Sequence, residues 1–287
     1  MTNTHSHYYI PEPSKWPILG MLAVLLSLLG VTLLINDVAV GNILAIAGLG
    51  LLGFMLYGWF SDVINENLSG AYNSQVDRSF RQGMFWFIAS EVFFFASFFG
   101  SLYYIRVIAV GWLGGEGYLA LSQTLNPEFV PEWPTNGPGD LGGEFTAMGW
   151  QGIPAINTII LLTSGLTLTI AHWGLKKENN RQLVIWLAAT ILLGVLFVGL
   201  QAYEYSHAYN DLSLKLGSGV YGSTFYILTG FHGFHVILGS IMLMAILGRS
   251  MKKHFTAHNH FAFEGVAWYW HFVDVVWLGL FIFVYWL

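Results

Sequence analysis

The chain has 287 residues, of which 55% are hydrophobic and only 9% charged, whereas an ordinary soluble domain carries about 25% charged residues. It cannot clothe a water-facing surface and reads as an integral membrane protein. The net charge of -5 gives no basic footprint for nucleic acid, and the absence of cysteine excludes disulfides, thiolate-held metal clusters and a cysteine nucleophile.

In chain order, residues 1–15 form a polar tail. The N-terminus MTNTHSHYYIPEPSKWP lacks the basic start and small-residue cleavage site of a secretory signal, so it is expected to be retained. Apolar runs of about 20 residues, enough to cross about 30 Å of hydrocarbon, then predict seven helices. They run from Trp16 to Ile35, Val40 to Phe60, Phe80 to Val110, Ile153 to Leu175, Leu183 to Ser206, Val220 to Leu247 and Phe261 to Trp286. The polar stretch SDVINENLSGAYNSQVDRS separates a first pair (residues 16–61) from the other five helices (residues 80–287), with residues 62–79 as an inner linker. Residues 111–152, rich in Gly, Pro and Trp, make a long outer loop that is expected to be ordered. No sequence repeat supports an inverted-repeat transporter.

Placing the N-terminus inside puts Lys15, Arg78, Arg81, Lys176, Lys177, Arg181, Arg249, Lys252 and Lys253 on that side, nine of the eleven basic residues. Only Arg106 and Lys215 fall outside. With an odd number of spans, this bias predicts N-terminus in and C-terminus out.

Intramembrane polar residues are candidate sites because an ionised side chain there is costly. Glu91, in FWFIASEVFFFASFFG, lies about 12 Å into its helix at about 1.5 Å per residue. Phe87 and Phe95 share its face, which favours the neutral acid. Two readings stay open for it: a hydrogen bond to a neighbouring helix, or a proton-handling or lipid-contacting group. His232 and His235 in FHGFHV are three residues apart on one helical face, and His271 and Asp274 repeat that spacing. They fit either haem or metal ligation with a carboxylate orienting the imidazole, or a set of interhelical hydrogen bonds in which Asp274 and the histidines satisfy one another.

Small residues in SGLTLTIAH and GFHGFHVILGS permit close helix packing, and Trp16, Trp59, Trp173 and Trp286 fit interfacial anchors. Arg249 opens RSMKKH where lipid head groups begin. Its planar fork suits phosphate, and with Trp59 it is a candidate phospholipid contact, against the alternative of ordinary positive-inside topology. No nucleotide-binding glycine loop, zinc-protease helix motif or serine nucleophile elbow is found in a supporting context.

The segments SKWPILG, WFSDVINE, FRQGMFWFIASEVFFF, PAINTIILLTSG, AHWGL, LQAYEY, SGVYGSTFYILTGFHGFHVILGS and HFTAHNHFAFEGVAWYWHFVDVVW resemble subunit III of the haem-copper cytochrome c oxidases. They touch essentially every helix. The resemblance implies an accessory, non-redox subunit with no catalytic centre and no metal or cofactor of its own, docked on subunit I and near subunit II, which carry the haem and copper. It implies a two-helix and a five-helix bundle with a V-shaped cleft for bound phospholipids, contacted by Trp59, Phe87 and Arg249. It matches Glu91 to a buried acid of the third helix, and turns His232, His235 and His271 from ligation towards hydrogen bonding. It also implies support of proton uptake on the inner face, where His5 and His7 are candidate proton collectors, and protection of the catalytic subunit.

The first two helices, generally lacking in related quinol oxidase subunits, favour cytochrome c as the donor to the complex. The long loop GEGYLALSQTLNPEFVPEWPTNGPGD resembles the proteobacterial aa3 form and favours a bacterial inner membrane. Arg78 stands where a lysine is common. The competing functions are a self-contained membrane haem or quinone oxidoreductase using His232, His235 and His271, and a proton-coupled transporter built on Glu91 and Asp274.

Overall fold

The computed structural model describes residues 9–287. Seven helices are long and apolar enough to cross a membrane: α1 Trp16–Ile35, α2 Val40–Leu68, α3 Ser74–Leu113, α4 Ile153–Lys176, α5 Asn180–Asn210, α6 Gly219–Met251 and α7 Phe261–Trp286. Among the described residues there is no strand. The chain is an all-α, multi-pass membrane protein, as expected where each spanning segment must satisfy its own backbone amides.

Hydropathy misplaced several helix ends. α2 continues through the polar residues after Phe60 to Leu68, and α3 already starts at Ser74. Polar residues favour water, not coil, so local chemistry sets these ends. Gly70, at φ 77°, follows α2 in the left-handed region open to glycine. The Asn73 side chain then accepts from the amides of Gln75 and Val76, both at 3.0 Å, which satisfies donors left over at a helix start. α3 also runs on to Leu113, with Tyr104–Ala109 wound as a π-helix.

The chain forms two compact units, divided between Phe80 and Arg81. In the smaller, α1 and α2 are a hairpin whose backbones approach through small residues. A Cβ added at Gly30 would lie 2.7 Å from Ala45 Cα, and one at Gly48 would strike Ser27. Trp16 is buried and its indole donates to Asp62 Oδ2 at 2.7 Å. Glu66 Oε2 accepts from the hydroxyls of Tyr9 and Tyr72, each at 2.7 Å. The bond to Glu66 pushes the Tyr9 hydroxyl pKa up, and burial followed by the same carboxylate pushes Tyr72 up.

In the larger unit the most completely buried large side chains include Trp270, Trp277 and Tyr269 of α7, with Phe197 of α5 and Phe225 of α6. An indole N–H away from water needs an acceptor. Trp270 donates to Ser164 and Trp277 to Thr158, both at 2.9 Å, which ties α7 to α4 at two levels. α4 and α5 are joined by a short turn in which Asn179 caps the amide of Gln182 at 3.1 Å, and Thr167 meets Thr190 at 2.8 Å across the pair. The connection before α4 folds against its own chain. The Tyr221 amide donates to the Thr135 carbonyl at 3.1 Å and the Thr146 amide to Leu212 at 2.9 Å, while Phe145 stacks on Tyr221 with centroids 5.4 Å apart.

Candidate functional site

The intramembrane polar groups of the larger unit fall into separate pairs, although the sequence also allowed one mutually satisfied set. Glu91 of α3 and His235 of α6 meet, with Glu91 Oε2 3.0 Å from His235 Nε2. Apolar rings surround the imidazole: Phe95 lies at 5.0 Å in an edge contact, and Tyr269 is nearly parallel at 6.2 Å. His235 Nδ1 is 2.6 Å from the carbonyl of Phe231 and donates to it. A neutral imidazole with its proton on Nδ1 presents a lone pair at Nε2, so Glu91 must then supply the bonding proton; otherwise an imidazolium faces a carboxylate. A hydrogen bond between Oε2 and Nε2 therefore needs one proton on this line.

His232, one turn earlier and fully buried, donates from Nε2 to the carbonyl of Val273 at 3.2 Å. The rings of Phe197 and Trp277 lie 5.7 and 5.1 Å from it. Neither histidine reaches Asp274. Asp274 instead stands 3.4 Å from His271 on its own helix, a weak contact, and its Oδ1 makes no hydrogen bond. Gly165 of α4 creates room for this carboxylate, since a Cβ there would collide with Asp274 Oδ2. His235 has both nitrogens engaged and His232 has one, so iron ligation by this pair would require breaking existing bonds.

Arg249 sits in the last turn of α6, its guanidinium 4.5 Å from the Phe255 ring. Its Nε and Nη2 are buried and make no hydrogen bond. Lys252, Lys253 and His254 follow it, and loss of hydration, then Arg249 and Lys252, push the His254 pKa down. Trp59, in the smaller unit, is exposed and stacks on Phe60 at 5.6 Å. Phe87, in the larger, is exposed and stacks on Tyr269 at 6.2 Å. His5 and His7 lie outside the described residues.

Reasoning from the sequence passed over Glu204. It is fully buried and accepts a 2.6 Å hydrogen bond from the Tyr285 hydroxyl. The available signal was an acid inside the apolar helix segment LQAYEY.

Residues 5–287 match the cytochrome c oxidase subunit III family. The chain belongs to that family. Cytochrome c oxidase subunit 3 of Pongo abelii is 38% identical over 287 residues, covering 100% of this chain and 99% of the relative. The corresponding protein of Cyprinus carpio is 40% identical over 280 residues, covering 97% and 96%, and that of Struthio camelus is 39% identical over 289 residues, covering 100% and 99%. As a subunit III chain, the protein is an accessory subunit of cytochrome c oxidase, an oxidoreductase complex whose other subunits are its partners.

Proposed function

We propose that this subunit binds phospholipid, stabilises the oxidase and supports its proton uptake, docked on subunit I and close to subunit II, which hold the haem and copper. Arg249 carries the lipid part of this reading. A buried guanidinium with two donors unpartnered is costly unless an anion meets it, and its planar fork matches phosphate. Lys252 and Lys253, next along the chain, add positive charge. Trp59 and Phe87 are exposed aromatic faces suited to acyl chains, each on its own unit.

The membrane is proposed to be a bacterial inner membrane, with the N-terminus cytoplasmic and the C-terminus periplasmic. Arg81, Lys176, Lys177, Arg181, Arg249, Lys252 and Lys253 flank one end of the spans of the larger unit, against Arg106 and Lys215 at the other. Proton support is assigned to the Glu91–His235 pair, whose facing atoms are 3.0 Å apart, and to His5 and His7 as surface collectors.

Arg249→Ala in the assembled oxidase tests the lipid assignment by mass spectrometry of co-purified lipid. The expected result is a lower phospholipid content and a shorter catalytic lifetime under turnover. Unchanged lipid content would reject Arg249 as a head-group ligand.

A further inference from the structure

At the end of the larger unit where α4 finishes and α7 begins, His172, His260 and Glu264 converge. Their ligand atoms all lie within 4.8 Å of one another. Glu264 Oε1 is 3.4 Å from His260 Nε2 and 3.8 Å from His172 Nε2. Ligands about 2.0–2.1 Å from a tetrahedral cation stand about 3.4 Å apart, so the two separations from Glu264 match coordination edges to within a few tenths of an ångström.

The hydrogen bonds around the cluster leave the ligand atoms facing inward. The His260 side chain is 8% exposed, and its Nδ1 donates to the Thr256 carbonyl at 3.0 Å. In the neutral ring this puts the lone pair on Nε2, the arrangement usual for a metal-bound imidazole with its second nitrogen held by a carbonyl. That Nε2 makes no hydrogen bond, nor does Nε2 of His172. Arg81 Nη1 holds Glu264 Oε2 at 2.5 Å, which turns Oε1 towards the histidines. A lone pair of His260 thus faces a carboxylate oxygen at 3.4 Å. Two acceptors so placed repel unless a proton or a metal cation lies between them.

We propose that His172, His260 and Glu264 bind one divalent transition cation of the zinc class, with Arg81 as the positioning residue for the carboxylate. Two imidazoles, one carboxylate and no sulfur suit zinc, while magnesium and calcium prefer all-oxygen shells. Three protein ligands leave one position for water or a partner's side chain. The expectation of a chain without metal is revised at this place alone, and for a cation that does no redox chemistry.

The oxidase complex, stripped with chelator, is equilibrated with Zn²⁺, freed of unbound ion and assayed for zinc per complex by mass spectrometry. Wild type is compared with His172→Ala, His260→Ala and, as a control at an exposed histidine, His258→Ala. The wild type and the control are expected to hold one zinc more than the other two. Loss of a direct ligand should weaken binding by more than about 100-fold, since second-shell losses alone cost about 10–100-fold. Zinc-edge X-ray absorption of the wild type is expected to show two imidazole nitrogens and a carboxylate oxygen at about 2.0–2.1 Å. If His260→Ala fails to assemble, His172→Gln replaces it. Equal zinc in all variants, or a shell without two imidazoles, would overturn the assignment and leave a shared proton as the occupant of the cluster.

Discussion

Replacing Glu91 with alanine removes the oxygen 3.0 Å from His235 Nε2 and leaves that nitrogen among apolar rings. An unsatisfied buried polar atom costs about 1–3 kcal/mol in water-soluble proteins. Within membranes, interhelical hydrogen bonds average about 0.6 kcal/mol and reach about 1.7, because the separated helices find other partners. The side chains here are 9% and 21% exposed, so the upper part of the membrane range applies, about 1–1.7 kcal/mol. The assay is a double-mutant cycle of Glu91→Ala and His235→Ala, read by reversible detergent unfolding. Glu91→Gln is the diagnostic single variant. Its amide still donates to a lone pair on Nε2, so the loss should stay below about 0.5 kcal/mol. A coupling energy under about 0.3 kcal/mol, or a glutamine variant as unstable as the alanine one, would refute a proton-sharing bond between α3 and α6.

Gly30→Val should destabilise the α1–α2 hairpin by about 1–3 kcal/mol through overpacking against Ala45, seen as a lower unfolding temperature. Gly50→Ala, where a new Cβ meets nothing within 4 Å, should be neutral. Tyr9 and Tyr72 have hydroxyl pKa values raised in the folded chain. The unfolded chain therefore loses their protons first, and their contribution, complete below about pH 10, declines as pH rises beyond it. Tyr72→Phe should flatten that alkaline loss in stability–pH curves. Thr158→Val removes the acceptor of Trp277 and should lower stability by about 0.6–1.7 kcal/mol, checked by the same detergent unfolding. An unchanged midpoint would mean that the indole finds another acceptor.

The membrane class and the seven spans were legible in the chain itself, because lipid imposes a local rule: about 20 apolar residues in a row and every amide satisfied within the helix. Glu91, His232, His235, Asp274 and Arg249 also stood out singly, each a costly group in an apolar or interfacial setting. Their partners did not. His235 could have bonded Asp274, but the fold gives it Glu91, which lies 144 residues earlier. Asp274 is left to His271 and to the space cleared by Gly165. His172 is brought to His260 and Glu264 only when the end of α4 meets the start of α7. Hydropathy records the cost of leaving water, residue by residue. Which donor meets which acceptor depends on how helices distant in sequence pack, and that packing exists only in the tertiary structure.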